Sequence, residues 1–138
     1  MQRHGIAWGG LLLGAILVTS ACTSGAATSG TASGPVAEAS TSNGAQDVTV
    51  TVGNTMSFDP ASITVLAGQP VQLTLRNNGL MPHDFTLNYG VAQPVKVTAT
   101  GAQSASGTFT IEKPGTYSFA CSMPGHAAAG MRGTITAE

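Results

Sequence analysis

Residues 48–52 read "VTVTV", and this short run is the clearest indication of the fold. Its valines and threonines alternate strictly, and successive side chains of an extended strand point to opposite faces. One face of the segment is therefore apolar and the other is polar, as expected for a strand that covers a core on one side. The pattern predicts a β-strand in the wall of a sandwich.

Similar alternation continues towards the C-terminus. Turn signals such as Asp59-Pro60, Asn77-Asn78-Gly79 and Lys113-Pro114-Gly115 separate the runs. The runs are "ITVL", "VQLTLRN", "DFTL", "VKVTA", "GTFTIE", "GTYSFAC" and "GTITAE". No stretch after residue 46 combines helical apolar spacing with helical length. The sequence therefore predicts an all-β sandwich of about seven to eight strands over residues 46–138.

Residues 1–21 have the pattern of a signal peptide. A short polar head containing Arg3 precedes an almost wholly apolar run, and small residues precede Cys22. A transmembrane anchor is the alternative, but this run is shorter than the roughly 20 apolar residues that span a bilayer. The small residues resemble the lipobox of bacterial lipoproteins, although Thr19 stands where an aliphatic residue is usual. This resemblance makes Cys22 the acylated first residue of the mature chain; plain secretion with a free Cys22 is the second interpretation.

Residues 22–45 are mostly serine, threonine, glycine and alanine, a composition that buries too little apolar surface to order itself. We expect a flexible tether. Export implies an oxidising compartment, in which cysteines normally pair. If Cys22 is acylated, Cys121 is a lone thiol that is buried and inert, joined to another chain, or held by a metal. A disulfide between Cys22 and Cys121 is a further alternative.

The charge of the chain is small, with a formal net value of −1. No basic cluster interrupts the segment from Gln46 onward, which excludes the usual signature of nucleic-acid binding. Charged residues are also sparse, so contact with a protein partner would rely on apolar surface. The charged residues from Gln46 onward are Asp47, Asp59, Asp84, Glu112 and Glu138 against Arg76, Lys96, Lys113 and Arg132.

Four metal-binding side chains occupy related places in the predicted strands. His83, Cys121 and Met131 are each in phase with a core-facing row and stand where a strand gives way to a loop. His126 falls in the loop after Cys121. A thiolate, two imidazoles and a weak axial thioether form the donor set that suits copper in electron transfer. Each residue alone also has a simpler interpretation, as packing or as a surface histidine.

Two motifs make the chain from about residue 46 resemble a cupredoxin, the Greek-key β-sandwich of type 1 (blue) copper proteins. They are "MSFDPASITVLAGQPVQLTLRNNGLMPHDF" and the ligand loop "CSMPGHAAAGM", residues 121–131. The chain is most similar to the plastocyanin/azurin group and, in loop length, to auracyanin. Four residues separate Cys121 from His126, whereas plastocyanins in the strict sense have two, and the single loop cysteine excludes a two-copper centre.

The resemblance implies one copper per chain, held by His83, Cys121, His126 and Met131. It also implies that the backbone amide of Asp84 lies near the thiolate sulfur, at a position where many relatives have asparagine. The implied function is non-enzymatic: one electron is shuttled between redox proteins, such as cytochromes or membrane complexes, outside the cytoplasmic membrane. The expected protein is a monomer, anchored to a bacterial membrane through Cys22. A copper carrier of similar fold is the main alternative, and a metal-free interaction module is a third.

The remaining residues support weaker interpretations. Several apolar residues beside His126 predict either local packing of the loop or a docking patch for a redox partner; they are Met81, Pro82, Met123, Pro124 and Ala127 to Ala129. The aromatic residues predict a core: Phe58, Phe85, Phe109, Tyr117 and Phe119. Neither a nucleophile with a credible base nor a phosphate-binding glycine loop is present.

Overall fold

The computed structural model describes residues 36–42 and 44–138, in which the chain forms ten strands and no helix. It follows that no helix able to cross a membrane occurs in this part of the chain. The strands are β1 (Val36–Glu38), β2 (Ser40–Ser42), β3 (Ala45–Val52), β4 (Ser62–Val65), β5 (Pro70–Asn77), β6 (His83–Leu87), β7 (Val95–Ala99), β8 (Ser104–Thr110), β9 (Gly115–Ala120) and β10 (Arg132–Ala137). The expected all-β class is confirmed.

The strands form two mixed sheets. The first has the order β1-β4-β10-β9-β6-β7, and the second has the order β2-β3-β5-β8. In the first sheet β4 lies parallel to β1 and β10, and the remaining neighbours are antiparallel. In the second sheet β3 and β5 run parallel, in register from Gln46↔Val71 to Val52↔Asn77.

The core lies between the sheets and is formed by the inward rows that the alternation predicts. In β3 the valines at 48, 50 and 52 are 3%, 0% and 3% exposed, whereas the threonines between them face outward or are half-buried. Aromatic rings fill the centre: Phe119 stacks on Phe85 at 4.5 Å between ring centroids and meets Phe58 edge-on at 5.0 Å. All four phenylalanines are buried and Tyr117 is half-buried, so the predicted aromatic core is correct in its main part.

Two strands lie before the expected start of the domain at Gln46. Residues 36–38 pair with β4, and residues 40–42 pair with β3. The tether predicted over 22–45 thus ends in paired strands, while its residues 22–35 and 43 lie outside the described residues, as does the predicted signal peptide at 1–21. Composition missed these strands because an edge pairing is made by backbone hydrogen bonds, which need no apolar side chains.

The register of the first sheet brings three strand ends together. Strand β6 begins at His83, β9 ends one residue before Cys121, and β10 begins one residue after Met131. Because β9 is antiparallel to both β6 and β10, these three points meet at the same end of the sandwich. The topology therefore gathers the candidate ligands from distant parts of the sequence.

Candidate metal centre

His83 is fully buried and has two different ring nitrogens. Its Nε2 lies 2.6 Å from the carbonyl oxygen of Gly53, which can only accept a hydrogen bond. Nε2 must therefore carry the proton, and Nδ1 keeps its lone pair. Nδ1 is buried without a hydrogen-bond partner among the described residues. An unpaired buried acceptor is costly, and a metal ion would satisfy it.

Cys121 and His126 supply two further donor atoms. The Cys121 sulfur lies 3.4 Å from Nδ1 of His126, and Cys121 forms no disulfide within the described residues. The nearest donor atoms of His83, Cys121 and His126 all lie within 4.8 Å of one another, and all three residues are buried. Three metal-binding side chains thus converge on one small volume.

Met131 is the fourth side chain of the cluster. It is fully buried, and its backbone bonds to the two loop ligands: its amide donates to the carbonyl of His126 at 3.0 Å, and its carbonyl accepts from the amide of Cys121 at 3.2 Å. The result is a His-Cys-His-Met cluster that could hold one copper ion. Sulfur and imidazole donors without carboxylates favour copper over magnesium or calcium.

The loop between Cys121 and Met131 is held in shape by its own backbone. The His126 amide donates to the carbonyl of Met123, and the Ala129 amide donates to that of Gly125. Gly125 and Gly130 have φ angles of 83° and 102°, a backbone region that residues with a side chain rarely adopt. Arg132 closes the loop by donating from Nε to the carbonyl of Ala127. These hydrogen bonds and glycine turns define the path of the ligand loop.

A second loop fixes His83, and the sequence alone did not reveal it. The buried amide group of Asn77 donates to the carbonyls of Met81 and Ala99 and accepts from the amide of Gly79, so it holds the turn that leads to His83. The side-chain oxygen of Asn54, in the loop after β3, accepts a hydrogen bond from the amide of Leu80. From the sequence, Asn77-Asn78-Gly79 is predicted only as a turn, because asparagine favours turns whatever its side chain bonds to.

Asp84 bonds to the strand that carries the thiol. Its amide donates to the Cys121 sulfur at 3.4 Å, as the sequence resemblance implied. Its carboxylate is fully buried and accepts from the amide and hydroxyl of Ser122 at 2.6 and 2.7 Å and from the hydroxyl of Thr86 at 3.1 Å. Burial would raise the pKa of Asp84, but these hydrogen bonds and the Lys96 ammonium together hold the pKa below its ordinary value.

His126 is the part of the cluster nearest the surface. It is 9% exposed, whereas His83, Cys121 and Met131 are 0% exposed. The apolar residues around it divide into two groups: Met123 packs partly against the core, while Met81, Pro82 and Ala128 are exposed. Leu80, which sequence reasoning did not include, is 83% exposed. Cys22 lies outside the described residues.

The chain belongs to the cupredoxin-like domain family, whose model matches residues 12–137. It is 32% identical over 105 residues to the copper-resistant cuproprotein CopI of Rubrivivax gelatinosus, a match that covers 64% of each protein. The chain thus spans less than two thirds of that relative's length.

Solved structures show the same fold. Auracyanin A, a blue copper protein of Chloroflexus aurantiacus, superposes with a TM-score of 0.61 at 23% identity over 69% of this chain and all of that one. The metal-binding domain of the Cu(I)-exporting ATPase CopA of Streptococcus pneumoniae gives 0.61 at 19% identity, over 75% of this chain and 96% of that one. At such identities the likeness establishes the sandwich fold alone.

Proposed function

We propose that the protein is a type 1 copper protein that carries one electron at a time between redox partners, with His83, Cys121, His126 and Met131 as ligands. The observation that carries the proposal is that Nδ1 of His83 has no hydrogen-bond partner among the described residues and lies in a buried cluster with the Cys121 thiol and a second imidazole. A copper ion bound there would supply the Cu(II)/Cu(I) couple.

The protein would contribute a rigid arrangement of the four ligand side chains. Gly53 fixes the ring orientation of His83, and the Asp84 amide donates to the Cys121 sulfur. The bonds of Met131 to Cys121 and His126 join the two ends of the ligand loop. A site held in this way needs little rearrangement when the charge of its metal changes, which favours fast electron transfer.

The exposed apolar residues near His126 are the proposed contact for a redox partner. His126 is the most exposed of the four ligands, so a partner seated on this end of the molecule comes nearest to the centre. Charged residues are sparse, which favours an apolar contact over an electrostatic one. The partner would be another electron-transfer protein, such as a cytochrome or a membrane complex, and no enzymatic step is proposed.

A charge placed in this patch should slow electron exchange. We expect Ala128→Glu to lower the rate of exchange with redox partners about tenfold, because docking would have to bury an unpaired carboxylate. Ala92→Glu is the matched control, since Ala92 is also exposed but follows β6 at the opposite end of the sandwich. Stopped-flow rates that fall equally in both variants would remove the patch from the proposal.

The proposed location is outside the cytoplasmic membrane, with lipid attachment through Cys22. The support is the signal-like pattern of residues 1–21 and the small residues before Cys22. Metabolic labelling with a radioactive fatty acid tests the anchor directly. Label that disappears in Cys22→Ser supports the anchor, and an unlabelled wild-type protein contradicts it.

A copper carrier is the second candidate function. It is favoured by two names among the similar proteins, a copper-resistant cuproprotein and the metal-binding domain of a Cu(I) exporter. Against it, the cluster of this chain is closed, with three of its four side chains fully buried.

Copper retention during turnover separates the two functions. The loaded protein would be reduced and reoxidised repeatedly in the presence of a Cu(I) chelator. An electron shuttle keeps its copper through many cycles, whereas a carrier loses it to the chelator within the first few reductions.

A further inference from the structure

A buried carboxylate lies beside the candidate metal centre. Asp84 follows His83 in β6, and the alternation that turns His83 and Phe85 inward turns Asp84 to the other face of the sheet. Its side chain is nevertheless 0% exposed. An ionised carboxylate at such a place is strongly destabilising unless it is hydrogen-bonded and paired.

Asp84 has both kinds of partner. Ser122 and Thr86 donate hydrogen bonds to it, and the ammonium of Lys96 lies 3.3 Å from its Oδ2. Lys96 comes from the adjacent strand β7, where it pairs with Thr86 in the register. It is 54% exposed, so one member of this ion pair is buried and the other reaches water.

The carboxylate is joined to the thiol strand by two bonds. The Asp84 amide donates to the Cys121 sulfur, and the Asp84 carboxylate accepts from the amide of Ser122, the next residue after Cys121. The negative charge of Asp84 is therefore one residue from His83 along the chain, and it is hydrogen-bonded to the residue that follows Cys121. Asparagine at this position would offer a similar acceptor without the charge.

We propose that the Asp84–Lys96 pair sets the balance between the two oxidation states at this site, with Asp84 favouring Cu(II) and Lys96 offsetting part of that preference. The inference rests on the copper site proposed above. A nearby negative charge stabilises the more highly charged ion, and the effect is large where water is excluded. Lys96 acts through Asp84, so it is a positioning residue and not a ligand.

Two substitutions test the sign of the effect. Asp84→Asn removes the negative charge and keeps the shape, so we expect the ratio of Cu(I) to Cu(II) affinity to rise about tenfold, which is about 59 mV for one electron. Lys96→Met keeps the length of the side chain and removes its charge, so we expect the ratio to fall, by about threefold as for a half-exposed pair. Lys96→Arg keeps the positive charge, so we expect it to leave the ratio of Cu(I) to Cu(II) affinity at the wild-type value.

The chain offers a matched control for Lys96. Lys113→Met makes the same change in net charge, but Lys113 precedes β9 at the end of the molecule away from the site. We expect it to leave the reduction potential unchanged. In Asp84→Asn, the further change Lys96→Met should have a smaller effect than in the wild type, because the charge it offsets has gone.

The measurement is spectroelectrochemical titration of the loaded protein at low and at high salt. The Lys96→Met shift should shrink at high salt, since half-exposed charges are screened. A purely structural role for the pair would change spectra and weaken both oxidation states together without this sign pattern. The inference would be overturned if Lys96→Met and Lys113→Met shifted the reduction potential equally, or if the shift in Lys96→Met or Asp84→Asn had the sign opposite to the one predicted. Either result would leave the copper site itself intact.

Failure of the copper site itself looks different. If the wild type gives no thiolate-to-copper absorption, the proposed function fails, and the inference fails with it. If Asp84→Asn does not fold, Lys96→Met and its Lys113→Met control still decide the sign.

Discussion

At the scale of the residue, the asymmetry of His83 organises the site. One ring nitrogen is bonded to the Gly53 carbonyl, and the other is buried without a partner among the described residues. Alternation along "HDFTL" predicts that His83 faces inward, but not which nitrogen is free. The tautomer depends on a carbonyl 30 residues earlier in the chain, and no local pattern reports that contact.

The buried carboxyl of Asp84 should make the metal-free protein sensitive to acid. Its folded-state pKa lies below the ordinary value, so its stabilising contribution is complete above the unfolded pKa of about 3.9 and is lost as the pH falls through the folded pKa. We expect Asp84→Asn to flatten this part of the stability curve. Urea unfolding of the apo-protein between pH 5 and pH 2 provides the measurement.

Ser122→Ala is the graded comparison for that experiment. It removes one of the hydrogen bonds that lower the pKa of Asp84, and it keeps the carboxyl and the amide donor. We expect an intermediate slope. Parallel curves for the wild type and Asp84→Asn would show that this carboxyl does not control acid stability.

At the scale of the element, the alternating strands were predictable and several of their contacts were not. The valine row of β3 and the inward positions of His83, Cys121 and Met131 follow from the period of two, and the structure buries all of them. Strands β1 and β2 were missed because their hydrogen bonds depend on the edges of β4 and β3. Hydrophobic patterning predicts which residues are buried, but it does not predict which strands pair at the edge of a sheet.

The close approach of two loops behind His83 should make Gly79 intolerant of a side chain. A Cβ at this position would lie 2.6 Å from the Gly53 carbonyl carbon and 2.7 Å from the Asn54 amide nitrogen. We expect Gly79→Ala to displace the Gly53 carbonyl from His83, to lower the free energy of unfolding by about 1–3 kcal/mol, and to weaken copper binding. Denaturant unfolding and copper competition assays measure the two effects.

Gly53→Ala is the matched control, because a Cβ at Gly53 meets nothing within 4 Å. It makes the same chemical change in the facing loop and leaves the close approach intact. If both variants behave alike, loss of glycine flexibility explains the effect, and the proposed support of His83 by this contact is wrong.

At the scale of the whole molecule, the sandwich is a frame that places its site at one end. The antiparallel strands β6, β9 and β10 bring residues 83, 121 and 131 to that end. The hydrophobic core lies between the two sheets. The arrangement was predictable in outline, since sequence reasoning placed the ligands at the ends of inward rows. The pairing order of the strands was not, because residues that pair across a sheet need not share a sequence pattern.

The two N-terminal strands should contribute to the stability of the domain. A chain that begins at Gln46 lacks β1 and β2, which exposes the edges of β4 and β3. We expect it to fold with a free energy of unfolding about 1–3 kcal/mol below that of a chain beginning at Val36, since each net backbone hydrogen bond contributes about 1 kcal/mol. Equal stabilities in urea unfolding would mean that these pairings add nothing.

The proposed copper–thiolate site is tested most simply by the visible absorption spectrum of the protein loaded with Cu(II), recorded beside that of Cys121→Ser. A buried copper–thiolate bond predicts an intense visible charge-transfer band that disappears in Cys121→Ser and bleaches when a mild reductant is added. Weak copper absorption that Cys121→Ser leaves unchanged would show that the buried thiol is not a ligand, and the proposed type 1 copper site would then be wrong.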